Sequence, residues 1–155
     1  MASRLVVEWT RATLRIALSE GQGDRFRLRA VRSQPLGPSG IAGETIRSLL
    51  GKRPPSVTEV IGVIPREQVI TRLVRFPSVR TAELASMVEL YAKAQLPYPR
   101  EQALFDFHVV SQQEGFSNVA IIACQRDVVD RLLAVLREAQ LPVSLVTVGS
   151  WGVLA

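Results

Sequence analysis

The feature that most constrains this chain is a change of period along it. The first 36 residues read as three strands, in which side chains alternate between two faces. From Thr81 the apolar residues recur instead at helical spacing. A repeat of two gives a strand with one buried face, and a repeat near 3.6 gives an amphipathic helix. Three strands come first: "RLVVEW" at 4–9, "TLRIALS" at 13–19 and "RFRLRAVRSQPL" from 25. The short "GQGD" turn at 21–24 favours a tight reversal, so the three predict an antiparallel meander.

"GPSG" breaks that pattern, and a helix is predicted over 41–50. Ser39 is its expected cap, and Ala42, Ile46, Leu49 and Leu50 its buried stripe. "GKRPPS" ends it. "VTEVIGVIP" reads as a buried strand. "QVITRLVRFP" follows, with Ile70, Arg72, Val74 and Phe76 on one face. A helix from Thr81 places Leu84, Met87, Val88 and Tyr91 together and stops in Leu96-Pro97-Tyr98-Pro99, because Pro97 lacks the N–H that a continuing helix needs. "ALFDFHVV" sets Phe105, Phe107 and Val109 against Asp106 and His108, and "FSNVAIIACQ" is a buried strand. "RDVVDRLLAVLREAQ" is a helix with Val128, Val129, Leu132, Leu133 and Leu136 inward, and "VSLVTV" at 143–148 is the last strand. The order βββαβ followed by β-α-β-β-α-β predicts a mixed α/β (α+β) protein.

Chemistry is harder to find. The 155 residues contain one cysteine and one histidine, which leaves no internal disulfide and no Cys-based zinc cluster. Cys124 lies in an apolar strand and reads as a small core residue, His108 as a surface residue. Asp127 and Asp130 fall in the first turn of a helix, where acids offset the helix dipole. No phosphate-wrapping G-x-x-x-x-G-K-[ST] loop and no G-x-S-x-G elbow is present. These residues point to no catalytic site, no metal site and a chain that is not an enzyme. The net charge of +5 is concentrated in "RFRLRAVR", where Arg25, Arg27 and Arg29 are expected on one strand face and Phe26, Leu28 and Ala30 on the other. No aromatic residue is interleaved on the arginine face to stack on bases, so nucleic acid is not expected as a partner. Apolar runs of a few residues, such as "VAIIAC", are too short to span a bilayer, and the first residues lack a signal-peptide core, so a cytoplasmic location is expected.

The segment "VIGVIPREQVITRLVRFPSVRTAELASMVELYAKAQLPYPREQALFDFHVV", with the βββαβ opening before it and "VAIIACQRDVVDRLLAVLREAQLPVSLVTV" after it, resembles the PilM family of type IV pilus assembly. That family is similar in architecture to the cell-division protein FtsA and the cytoplasmic part of the type II secretion protein GspL. The resemblance implies an actin-like (ribonuclease H-like) first subdomain, residues 1–64 plus 143–155. A small β-α-β-β-α-β (SHS2-like) subdomain, residues 65–142, would be inserted in it. It implies a platform protein, peripheral to the inner membrane. Such proteins bind the N-terminal cytoplasmic peptide of a PilN-like membrane partner in a groove between subdomains, and other platform proteins are further partners. The resemblance makes Arg72, Val74, Phe76, Leu90, Leu96 and Tyr98 the candidate peptide-binding residues.

The sequence departs from the family in two places. Where the family carries a phosphate loop, this chain has "EWTRATLR" with no glycine. Thr10, Arg11 and Thr13 are left as candidates for weak nucleotide binding. The chain also stops at "GSWGVLA", where a longer member continues into a second half, so ATP is expected only in a longer parent. The apolar Trp151, Val153 and Leu154 are expected to pack on the first subdomain or on a partner, or else to mark a fragment.

Overall fold

The computed structural model of the chain describes residues 2–22, 25–51 and 56–149. Gly23 and Asp24 of the first predicted turn, Lys52 to Pro55 of the predicted helix stop, and Trp151, Val153 and Leu154 lie outside the described residues. The chain divides into two compact units, residues 1–67 with 129–155, and residues 68–128.

In the first unit β1 (Ala2–Trp9), β2 (Thr13–Gln22) and β3 (Arg25–Pro35) form the expected antiparallel meander. Helix α1 (Gly43–Leu50) leads to β4 (Glu59–Ile64), which pairs with β1 in parallel. A final strand, numbered β8 (Leu145–Val148) in chain order, pairs with β4 in parallel and completes a five-stranded sheet of order β3-β2-β1-β4-β8. Alternation places Leu5, Val7, Trp9, Leu14, Ile16, Val60 and Ile64 in the core.

The helix α3 (Arg126–Glu138) shows why the unit boundary differs from residues 65–142. Gly62 on β4 has no side chain, and a Cβ there would lie 2.9 Å from Leu132 Cδ2 and 3.2 Å from Leu136 Cδ1. The helix thus seats on the five-stranded sheet, with Leu132, Val135 and Leu136 buried. Val128, Val129 and Leu133, expected inward, are only half-buried.

The capping of α1 also departs from expectation. Its N-cap is Ala42, with no side-chain hydrogen bond, rather than Ser39. The first N–H, from Gly43, donates to Glu138 Oε2 at 3.1 Å, so a carboxylate 95 positions along the chain neutralises the positive helix end. At the other end Gly51 turns through φ 91°, and Arg32 donates to the carbonyls of Leu49 and Leu50 at 2.7 and 2.9 Å.

A bulge alters the pattern on β3. Ser19 pairs with Leu28 and Leu18 with Ala30, so Arg29 drops out of the alternation. Arg25 and Arg27 remain on one face, but Ala30 joins them, and Val31 now shares the face of Phe26 and Leu28.

The second unit contains β5 (Ile70–Phe76), α2 (Thr81–Gln95), β6 (Ala103–Gln113) and β7 (Phe116–Gln125). The strands form an antiparallel sheet of order β5-β7-β6. Helix α2 presents Leu84 and Val88, both fully buried, to a core with Phe76, Val119 and Ile121. Burying each such aliphatic side chain stabilises the unit by roughly 1.5–3 kcal/mol. Phe107 and Val109 of β6 line the rim of this core, as their alternation predicts. Glu114 at φ 53° and Gly115 at φ 79° form the tight turn between β6 and β7.

Candidate functional site

Two places hold the residues singled out by sequence: the β1–β2 loop in the first unit, and the β5–α2 region in the second.

The β1–β2 loop is closed on itself. Thr10 Oγ1 accepts from the N–H groups of both Ala12 and Thr13 at 3.2 Å, and Thr10 N–H donates to the Thr13 carbonyl at 2.9 Å. Three loop amides are therefore already engaged, whereas a phosphate cradle needs them directed outward. Arg11 is exposed, while Arg15 lies 3.5 Å from Glu8 Oε2. The hydroxyl and charge expected from Thr10, Arg11 and Thr13 are present, but Thr10 acts as the turn's own acceptor.

The six candidate peptide contacts do not share one surface. Phe76 is 9% exposed and meets Tyr91 edge-on, with ring centroids 6.2 Å apart at 87°, and Val74 packs beside it. Both belong to the interior of the second unit. Leu90 projects from the opposite side of α2 and is 70% exposed, because it lies 200° around the helix from Val88 at about 100° per residue. Arg72 is exposed and donates to the carbonyl of Thr71 at 3.1 Å. Leu96 and Tyr98, after the helix stop, are half-buried.

The turn after α2 is held by charge as well as by proline stiffness. Leu96 N–H closes the helix on the carbonyl of Ala92 at 3.1 Å. Arg100, in the 3₁₀ turn Arg100–Gln102, reaches back across both prolines to Glu89 Oε1 at 2.5 Å, and Lys93 meets the same oxygen at 3.1 Å. Lys93 foremost, then Arg100, holds the Glu89 carboxyl below its ordinary range. A pairing across eleven residues and two prolines carries no periodic signal.

At the other end of α2 a polar cluster fixes the entry from β5. Ser117, fully buried, donates to the carbonyl of Ser78 at 2.7 Å and accepts from Gln112 Nε2 at 3.0 Å. Ser78 Oγ donates to Glu83 Oε2 at 2.5 Å, and Arg80 lies 2.8 Å from the other oxygen. Every group in the cluster has a partner, so it positions backbone rather than waiting for a ligand.

Cys124 is buried, and its thiol pKa is pushed up by burial and by the nearby charge of Asp127. A thiol held protonated is a poor nucleophile. Among the described residues no three His, Cys, Asp or Glu side chains group in a way that would hold a metal ion. No helix among them is long and apolar enough to cross a membrane.

These features define a mixed α+β protein in which a three-stranded unit is inserted between the fourth and last strands of a five-stranded sheet. The family model "Type IV pilus assembly protein PilM" matches residues 16–155, and the chain belongs to that family. The fold is also similar to that of a chain in a solved PilM-PilN type IV pilus biogenesis complex. The TM-score is 0.79 at 24% identity, over 99% of this chain and 48% of that one. The cytoplasmic domain of EpsL, an inner membrane component of the type II secretion system of Vibrio cholerae, is similar at TM-score 0.61 and 16% identity. There the match covers 94% of this chain and 57% of that one. The chain thus spans about half the length of these relatives. No protein with a curated description matches it at a significant level.

Proposed function

We propose that the chain is a non-enzymatic, cytoplasmic platform component of a type IV pilus or type II secretion-like machine, and that it binds the N-terminal cytoplasmic peptide of a PilN-like inner-membrane protein. Membership of the PilM family carries this reading, and likeness to a chain of a solved PilM-PilN complex supports it. Within the second unit we assign any direct contact to the exposed Arg72 and Leu90 and the half-buried Leu96 and Tyr98, and a supporting role to Val74 and Phe76. An extended peptide gains main-chain hydrogen bonds and side-chain pockets on such a surface. The closed amides of the Thr10 to Thr13 loop support an interaction role over ATP hydrolysis, with any ATP site belonging to a longer parent. Calorimetric titration of a synthetic PilN-like N-terminal peptide tests the reading, with Arg72→Glu and Tyr98→Ala expected to weaken binding. Absence of saturable binding, both by the folded chain and by a longer protein containing it, would sink the proposal. A nucleotide thermal-shift assay on the longer protein separates the ATP-binding alternative.

A further inference from the structure

Strand β3 lies at one edge of the five-stranded sheet and, among the described residues, pairs with β2 alone. Its outer row of backbone N–H and C=O groups is therefore free to pair with another strand. The strand carries four arginines and no acid. Two are already engaged: Arg29 meets Glu20 at 2.7 Å, and Arg32 caps α1. Arg25 and Arg27 are exposed, with no ion pair or hydrogen-bond partner among the described residues.

The bulge at Arg29 sorts the rest of the strand by face. Phe26, Leu28 and Val31 stand opposite Gly21, Ser19 and Ala17 on one face, while Arg25 and Arg27 stand opposite Gln22 and Glu20 on the other. Leu28 is 65% and Val31 60% exposed, large values for aliphatic side chains in a sheet. Arg4 lies over the Phe26 ring at 3.7 Å, which stiffens this apolar row from below.

We propose that this edge is a docking site for an extended acidic segment of a partner protein whose side chains alternate between carboxylate and aliphatic. Such a strand, paired to the backbone of β3, sets its aliphatic residues beside Leu28 and Val31 and its carboxylates beside Arg25 and Arg27. Cross-strand neighbours sit close enough for both kinds of pair to form. The charge argues against other occupants. A second copy of β3 would bring arginine against arginine. A flat lipid surface would engage one row and leave the other facing away, since the two rows lie on opposite faces. Nucleic acid finds no free ring to stack on, because Phe26 is covered by Arg4. The proposal is independent of the peptide reading above, which concerns the second unit.

The test uses the full chain and a blocked ten-residue peptide of alternating glutamate and valine, followed by fluorescence anisotropy and by amide hydrogen exchange. Saturable binding is expected, weakened by added salt, with exchange slowed at β3 amides. Arg25→Glu combined with Arg27→Glu should lower affinity at least tenfold without unfolding the protein, since both side chains are exposed and unpaired. A second measurement leaves the protein untouched: the same peptide, N-methylated throughout, cannot donate backbone N–H groups to β3 and should bind at least tenfold more weakly. A peptide of the same composition with its glutamates and valines grouped in blocks should bind at least tenfold more weakly. Equal binding of the block or N-methylated peptide, or protection elsewhere than β3, overturns the proposal. So does binding to phosphatidylserine vesicles or to single-stranded DNA without binding to the alternating peptide.

Discussion

Replacing Gly43 by alanine separates local propensity from tertiary packing, because the two predict opposite signs. In an exposed helix the change stabilises by about 1 kcal/mol, since alanine loses less backbone entropy. Here a Cβ on Gly43 would lie 2.6 Å from the backbone nitrogen of Ala139 and 2.7 Å from the carbonyl carbon of Glu138. Those atoms belong to backbone at the end of α3 and cannot rotate aside, so α1 must retreat by roughly 1 Å to regain ordinary contact distance. Overpacking of this kind costs about 1–3 kcal/mol. The retreat also stretches the Gly43 N–H to Glu138 bond, now 3.1 Å, whose loss is worth about another 1–2 kcal/mol. Set against the propensity gain, Gly43→Ala should destabilise by about 2 kcal/mol. For a chain of this size that lowers Tm by about 4–8 °C, readable by circular dichroism or calorimetry. Gly37→Ala is the control: nothing lies within 4 Å of its Cβ, so it should be neutral or slightly stabilising. If Gly43→Ala melts at or above the wild-type temperature, the close crossing of α1 and α3 at this glycine is wrong.

Four further outcomes are expected. Val88→Ala, made in the fully buried core of the second unit, should cost about 1–3 kcal/mol in chemical denaturation. Leu90→Ser, two residues along the same helix but 70% exposed, should change stability by no more than about 0.5 kcal/mol. Thr10→Ala removes the acceptor for two loop amides and should destabilise by about 1 kcal/mol, a loss that Thr10→Ser should largely restore. The Cys124 thiol is favoured in its protonated form by the fold, so its contribution is complete below the unfolded-state pKa of about 8.5. That contribution is lost as pH rises through the higher folded value. The stability of the wild type relative to Cys124→Ala should therefore fall as pH rises above about 8.5, and thiol reagents should react far faster after unfolding.

The candidate peptide residues show how much of a site one sequence conveys. The alternation of β5 correctly groups Val74 with Phe76, and the period of α2 correctly places Leu84, Val88 and Tyr91 towards them. What alternation cannot say is whether such a face is kept for a partner or used by the chain's own helix. Phe76 and Val74 are consumed by α2, while Leu90, an equally apolar residue, is left outside. The loop at Thr10 to Thr13 was legible as lacking glycine. That its hydroxyl satisfies its own amides became visible only in the folded turn.

By itself, then, the sequence determined the elements whose signals are local: the meander, the stop of α2 at Pro97, the switch of period at Thr81 and the absence of a glycine phosphate loop. The tertiary structure decided what depends on residues distant in the chain. Gly62 lets α3 seat on β4, and Glu138 rather than Ser39 caps α1. The bulge at Arg29 moves Val31 to the face of Leu28 and leaves arginine and aliphatic rows on opposite sides of an open edge. The physical reason is common to all of these. Backbone periodicity follows from each residue and its nearest neighbours, whereas close approach, capping and register follow from which surfaces meet.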